Sequence, residues 1–287
     1  VSAVSGVPVE PPAGAVRDAV ERALAEDLGP LGDVTAALVP SEATAAVDVV
    51  AREPGVLAGT ACATEVYRRL DPAVVVAWSG PDGSLLDSGT LVGTISGPLR
   101  PILTGERSAL NFLCHLSGVA TVTRAFVERA GDRARILDTR KTLPGLRALE
   151  KAAVRAGGGA NHRGNLSELV LVKDNHLGGV TIAEAVRRAR EAWPGRGVEV
   201  ECDRPAQMEE AIAAGATMVL LDNMTPEQVG ACVERARSTA PPGFLVEVSG
   251  GVTLETVAAY AEAGADLISS GAITQSAPAL DIGFDLR

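Results

Sequence analysis

Along residues 14–28 the apolar positions Val16, Val20, Leu24 and Leu28 fall at helical spacing, and Leu28-Gly29-Pro30 ends the run. The pattern then changes. Between residues 45 and 98 the short apolar runs AAVDVVA, VLAG, AVVVAW and TLVGTIS alternate with Pro-Gly, Pro-Asp-Gly and Ser-Gly turns. That alternation predicts an antiparallel sheet, with a helix over Thr60–Leu70 between strands. Residues 104–130 return to helical spacing. Leu110, Leu113, Leu116 and Val119 form a stripe that Val122, Phe126 and Ala130 continue, with Gly118 as a candidate break between two helices.

From residue 135 the rhythm becomes strand, charged tip, helix. Strands are predicted over Arg135–Leu137, Leu169–Val172, Val198–Cys202, Met218–Leu221, Phe244–Val248 and Leu267–Ser269. Helical patterns separate the later ones: Ile182/Val186/Ala189, Met208/Ala211/Ile212, Val229/Val233/Ala236 and Leu254/Val257/Ala261. The last strands recur at roughly two-dozen-residue intervals, the spacing of βα units in a (β/α) barrel. Gly157–His162 supplies one more short strand end. Six or seven strands fall short of the eight of a closed barrel, so the reading is an incomplete (β/α) barrel preceded by an α/β domain. A doubly wound sheet is the alternative, and the regular repeat without an early GxGxxG argues against it.

The 287 residues carry a formal net charge of −10, which argues against nonspecific nucleic-acid or membrane binding. No stretch is read as approaching the apolar length of a membrane span. The leader VSAVSGVPVEPPAGA lacks a basic segment followed by an apolar core and reads as a flexible, Pro-rich segment, not a signal peptide. Cys62, Cys114, Cys202 and Cys232 form no CxxC pair and read as reduced core thiols, which points to the cytoplasm.

Against that acidic background a local cationic cluster is informative. Residues 137–176 contain two strands that end in Asp138-Thr139-Arg140-Lys141 and Lys173-Asp174-Asn175-His176, with Asn161-His162-Arg163 between them. In a barrel such strand ends face one mouth. A cation at a helix N-terminus opposes the helix dipole, so Arg140, Lys141 and Lys173 call for an anionic ligand or an ion pair. Glu201 and Asp222 end neighbouring strands, where carboxylates suit ribose hydroxyls, Mg²⁺ held with a pyrophosphate, or salt bridges to Lys173 or Arg140. Ser249-Gly250-Gly251 and Ser270-Gly271-Ala272 end the last two strands, where small residues let backbone N–H groups approach a phosphate; tight turns needing glycine are the bland alternative. Asp203, Asn223 and Thr253 suit helix caps. The three histidines show no metal-ligand spacing; His115 reads as packed and His162 as part of the site. Arg147, Lys151 and Arg155, at i, i+4 and i+8, read as a solvated helix face, with Arg147, near the helix start, also within reach of the site. An anionic acid, a phosphate and acids beside a sugar together suggest phosphoribosyl transfer.

These residues resemble the quinolinate phosphoribosyltransferase family. The resemblance is carried by EDLGPLGDVT (26–35), GERSALNFLCHLSGVAT (105–121), DTRKTLPGLRALEKAAVRAGGGANHR (138–163), KDNH (173–176), VEVECD (198–203), LLDNM (220–224), EVSGGVT (247–253) and ISSGAITQSAPALDIGFDL (268–286). It implies an N-terminal α/β sandwich over residues 1–117, on which the tail 276–287 packs, and a barrel over 118–275. It also implies a homodimer, or a higher oligomer built from it, with shared active sites into which Arg107 of the GER motif reaches. By the same resemblance Thr139, Arg140, Lys141, His162, Arg163 and Lys173 hold the dicarboxylate. Glu201 and Asp222 serve the ribose and Mg²⁺, itself held mainly through the phosphoribosyl pyrophosphate. Ser249, Gly250, Gly251, Ser270, Gly271 and Ala272 bind the 5-phosphate. Lys141, Lys173, Glu201 and Asp222 would be catalytic in making nicotinate mononucleotide, pyrophosphate and CO₂. The sequence departs from the family pattern at Leu143, Asn165, Glu168 and Gln275. A relative acting on another aromatic acid and a non-catalytic phosphate sensor are the rival readings.

Overall fold

The structure, a computed structural model, describes residues 9–287, so the first part of the predicted flexible leader lies outside the described residues. Two compact units divide the chain. One holds residues 125–141 and 159–272; the other holds the described residues up to Arg124 together with 142–158 and 273–287.

The first half of the chain runs α1 (Ala13–Leu28), β1 (Thr44–Ala51), β2 (Gly55–Val56), α2 (Thr60–Leu70), β3 (Val75–Trp78), β4 (Leu85–Leu86), β5 (Leu91–Pro98) and α3 (Leu99–Ala130). The second half runs β6 (Arg135–Leu137), α4 (Arg147–Ala156), β7 (Val170–Val172), α5 (Ile182–Ala192), β8 (Val198–Cys202), α6 (Pro205–Ala214), β9 (Met218–Asp222), α7 (Pro226–Thr239), β10 (Leu245–Ser249), α8 (Val257–Glu262), β11 (Leu267–Ser269), α9 (Ala272–Gln275) and β12 (Ile282–Leu286).

In the antiparallel unit the strand order is β12-β1-β5-β3. The strand β12 at the chain's C-terminus pairs with β1, Val49 opposite Phe284. Val47, Val49 and Ala51 alternate into the core with Ile95 and Ile282. The run VLAG contributes less than its apolar pattern predicts: only Val56 is in a strand, in a two-stranded ladder with β4. Gly118 does not break the long helix. α3 is continuous over 32 residues, and a Cβ at position 118 would collide with the Pro278 carbonyl, so glycine serves a close approach there. By length and composition α3 is also long and apolar enough to cross a membrane, contrary to the reading above; 61% of its apolar window is buried in the fold. The face carrying Arg147, Lys151 and Arg155 is not solvated either. Lys151 is buried, Arg147 Nε donates to Thr142 Oγ1 at 3.1 Å and Arg155 Nη2 donates to the Glu10 carbonyl at 3.1 Å. His115 packs as expected, its Nε2 2.8 Å from the buried Glu150 Oε1.

The other unit is a parallel sheet in the order β6-β11-β10-β9-β8-β7. An isolated parallel bridge from Leu137 to Ala160 adds a single rung beyond β6, where the sequence suggested a seventh strand. The ladder is not continued from there to β7, so the barrel is incomplete. Each strand alternates. Val198, Val200 and Cys202 are buried, as are Val246 and Val248, and each apolar side chain so buried contributes about 1.5–3 kcal/mol. The intervening residues, Glu199 and Glu201 or Glu247 and Ser249, take the opposite face. The helices follow their apolar stripes: Ile182, Val186 and Ala189 are the buried residues of α5, which Thr181 caps by accepting from the Glu184 N–H. α8 starts later than its pattern, because Thr253–Thr256 forms a hydrogen-bonded turn before it.

Candidate functional site

A cavity of about 580 Å³ opens among the carboxyl ends of the parallel strands. Strand alternation builds it in two layers. The outer residue of each strand is polar: Lys173 after β7, Glu201 on β8, Asp222 on β9 and Ser249 on β10. The residue two earlier on the same face is Leu171, Glu199, Leu220 or Glu247, of which Leu171, Leu220 and Glu247 line the cavity and Glu199 is fully buried.

Thr139, Arg140, Lys141, His162, Arg163, Lys173, Glu201, Asp222, Ser249, Gly250 and Gly251 all line the cavity, and all belong to one unit. Their supports are local. The Thr139 hydroxyl accepts the Lys141 N–H at 2.9 Å, which turns the chain at the end of β6. Asp138, fully buried, accepts from the His162 N–H at 2.9 Å and from Asn161 Nδ2. It thereby ties the first charged strand end to the Asn161-His162-Arg163 turn. Arg163 Nη1 donates to the Leu169 carbonyl at 3.0 Å. Burial, and then the nearby Arg140 charge, hold the Arg163 guanidinium below its ordinary pKa. Like charges gathered in this way favour an anion between them.

Lys173 Nζ is ion-paired with Glu201, one of the pairings the sequence left open. Asp222 Oδ2 accepts from Asn223 Nδ2 at 2.7 Å, and Asn223 adopts a left-handed backbone at φ 56° instead of capping a helix. Thr225 takes that capping role for α7. Gly250, at φ 83°, sits so close to β9 that a Cβ there would lie 2.7 Å from Asp222 Oδ1.

Four predicted site residues are placed differently. Arg107 is exposed on α3, in the other unit. Ser270 is buried, its hydroxyl donating to the Val252 carbonyl at 3.1 Å. Gly271 packs against the Lys141 side chain, and Ala272 begins the four-residue α9. Two departures from the family pattern answer each other: Asn165 Nδ2 donates to Glu168 Oε1 at 2.6 Å, and Glu168 Oε2 accepts from the Gly164 N–H at 2.7 Å.

The sequence reading passed over the deeper layer. Glu199 and Glu247 are fully buried. His162 Nδ1 accepts the Arg163 N–H at 2.7 Å, so the ring proton sits on Nε2, which donates to Glu199 Oε2 at 3.1 Å. Glu247 Oε2 lies 3.5 Å from the same nitrogen. Glu199 Oε1 and both Glu247 oxygens have no hydrogen-bond partner. Burial, and then the Glu199 charge, push the Glu247 carboxyl up to about 8. The period-two pattern was the available signal, since Glu199 shares a strand face with Glu201, and Glu247 with Ser249.

Comparison with known proteins was informative over almost the whole chain. The family model described as quinolinate phosphoribosyl transferase, C-terminal domain, matches residues 119–285, and that of the N-terminal domain matches 33–117. A nicotinate-nucleotide pyrophosphorylase [carboxylating] of Mycobacterium leprae is 44% identical over 277 residues, 95% of this chain and 97% of that protein. A probable enzyme of the same description from Bacillus subtilis is 40% identical, covering 91% of this chain and 90% of its own. Among solved structures, the nicotinate-nucleotide pyrophosphorylase of Francisella tularensis superposes with a TM-score of 0.91 at 37% identity, over 97% of this chain and 98% of that one.

Proposed function

The chain belongs to the quinolinate phosphoribosyltransferase family and is a nicotinate-nucleotide diphosphorylase (carboxylating) of de novo NAD synthesis, and from that premise we propose that the layered cavity of the parallel unit is where the reaction runs. The observation that carries this is the convergence of eleven candidate residues, from five strand ends and the Asn161-His162-Arg163 turn, on one cavity.

In this reading Arg140, Lys141 and Arg163, with Thr139, bind the two carboxylates of quinolinate. Arg is suited to paired carboxylate oxygens. The Ser249-Gly250-Gly251 turn takes the 5-phosphate of phosphoribosyl pyrophosphate through its backbone N–H groups. Asp222 and Glu201 face the ribose. As the pyridine nitrogen attacks the sugar carbon, positive charge grows on that carbon and these carboxylates stabilise it. Lys173, released from Glu201 when substrates enter, stabilises the negative charge of the departing pyrophosphate. The product pyridinium withdraws electrons from its ring, so the carboxylate beside the nitrogen leaves as CO₂. His162 orients the wall: both its ring nitrogens engage protein groups, Arg163 N–H and Glu199, so it fixes the turn that presents Arg163.

Glu201 and Asp222 are hard oxygen donors on adjacent strands at the cavity, a donor set that fits Mg²⁺ shared with substrate phosphates. When bound there, the ion neutralises charge on the pyrophosphate. Arg107 belongs to the same proposal, as a residue that reaches the site of a second copy in a homodimer, and the enzyme works in the cytoplasm. Turnover with quinolinate, compared with nicotinate and other aromatic acids, tests the site assignment together with Arg140→Ala. Conversion of quinolinate that Arg140→Ala leaves unchanged in kcat and KM would remove the acid from this cavity.

A further inference from the structure

Loss of CO₂ leaves an electron pair on the ring carbon, and a proton must replace the carboxylate there. The polar residues of the outer layer are committed to binding anions, ribose or metal. The deeper layer holds groups the reaction as described does not use. Glu247 lines the cavity, is fully buried, and has both carboxyl oxygens without a partner. The charged or titratable groups facing it are Glu199 from β8 and His162 from the turn after Ala160, with Arg163 behind the latter. β9 offers Leu220, β7 offers Leu171 and β11 offers Ser269.

Two buried carboxylates this close cannot both be charged cheaply. The hydrogen bonds say which one keeps a proton. Glu199 receives the His162 Nε2–H at 3.1 Å, whereas Glu247 lies 3.5 Å from that nitrogen and its buried carboxyl oxygens have no hydrogen-bond partner, so Glu247 is the acid placed to keep a proton. The upward shift of the Glu247 carboxyl agrees. The ligand atoms of His162, Glu199 and Glu247 lie within 4.8 Å of one another, a spacing that also suits a cation. A metal-bound imidazole, however, donates its second ring N–H to a neighbour. Here Nδ1 accepts from Arg163, which leaves the proton, not a lone pair, on the nitrogen facing the acids.

Resting on the assignment of quinolinate to this cavity, we propose that Glu247 is the acid that protonates the ring carbon vacated by CO₂. The bond from that carbon to the carboxylate breaks with its electron pair left on the carbon. CO₂ departs, the pair takes the proton of the Glu247 carboxyl, a C–H bond forms and Glu247 becomes an anion. A solvent proton restores the acid when the nucleotide leaves. The Glu247 side chain is fully buried, and in this proposal it stands as an internal donor in place of bulk solvent.

Glu247→Gln keeps the volume and a neutral polar group but has no proton to give. Wild type and variant are run with quinolinate, phosphoribosyl pyrophosphate and Mg²⁺ in equal parts H₂O and D₂O. The single-turnover rate of nucleotide formation, KM, and the H:D ratio at the new C–H bond are measured. The expected result is KM for quinolinate within about twofold, a rate lower by about 100-fold, and an H:D ratio displaced from wild type because solvent has become the donor. Glu247→Asp, which retains an acid, is expected to keep the wild-type ratio at an intermediate rate, and it carries the test alone if the Gln variant does not fold. A Gln variant within about threefold of the wild-type rate, or any folded variant whose H:D ratio answers oppositely, overturns the proposal. If Arg140→Ala leaves the quinolinate KM unchanged, it is the cavity assignment that has failed instead.

Discussion

The buried acid makes a prediction about stability that is separate from catalysis. In the folded chain the Glu247 carboxyl lies at about 8 against an ordinary 4.5, with burial the main cause and the Glu199 charge the next. A raised folded value means that between those two pH values the folded state keeps a proton that the unfolded state has released. The stabilisation is therefore complete below pH 4.5 and is lost progressively as pH rises to about 8. At about 1.4 kcal/mol per pH unit the loss over the whole window is on the order of 5 kcal/mol. No discount for solvent screening applies, because the side chain is fully buried. Glu247→Gln lacks the titration, so the comparison cancels the groups that do not face it, leaving Glu247 and its coupling to Glu199 and His162. Urea unfolding of both proteins at pH 5, 6, 7 and 8 is the assay. The variant should gain on wild type steadily with pH, by several kcal/mol across the series, and the difference should flatten above pH 8. Parallel pH profiles for the two proteins would refute the reasoning, because a carboxyl with ordinary affinity for its proton gives no slope in this range.

Three further outcomes follow from the site and its supports. Arg107→Ala and Lys173→Ala chains should each be nearly inactive, and an equimolar mixture that exchanges subunits should recover about a quarter of wild-type activity, since half of the dimers hold one intact shared site; no recovery at any mixing ratio would count against the shared site. Gly250→Ala forces a side chain into a left-handed turn 2.7 Å from Asp222 Oδ1, at a cost of about 1–2 kcal/mol. It should raise the KM for phosphoribosyl pyrophosphate about tenfold while quinolinate binding, read by calorimetry, stays the same; an equal loss of both would separate the turn from the phosphate. Asp138→Ala strands the His162 N–H and the Asn161 amide, which should lower unfolding stability by about 1–3 kcal/mol and raise the quinolinate KM more than it changes kcat, as steady-state kinetics will report.

Much of this architecture is legible in the sequence because its signals are short-range. The strand-helix rhythm after residue 135 follows from local periodicity, and the six parallel strands appear close to where the apolar runs put them. The charged strand tips are legible for the same reason, since cations such as Arg140 and Lys173 have no place in a strand or at a helix start without a partner. What was not legible depends on contacts far apart in the chain. Gly118 looks like a break until the segment around Pro278 is laid against it. Lys151 looks solvated because helical spacing reports one face of α4 and not what covers the other. Glu199 and Glu247 belong to strands whose pattern is easily read, yet each alone looks like an outward polar residue. Only the closing curvature of the sheet turns that face into an interior.

That curvature also explains how a cationic wall and a pair of buried acids coexist in one cavity. The cations sit where the strands end and the backbone turns, with hydroxyls and solvent within reach, and they can await anions there. The acids sit one pleat deeper, fully buried, and the charge relief nearest to them is an imidazole N–H and one proton. Glu199 takes the first and Glu247 keeps the second. The Arg163 charge is also felt by Glu199. The two layers are thus coupled through one turn, Asn161-His162-Arg163, which Asp138 anchors. An anion seated on Arg163 neutralises the charge that offsets Glu199, which makes a second negative charge on Glu247 costlier still. If quinolinate binds there as proposed, its charge secures the proton below it, and loss of CO₂, which leaves the electron pair on the ring carbon, creates the base that takes that proton.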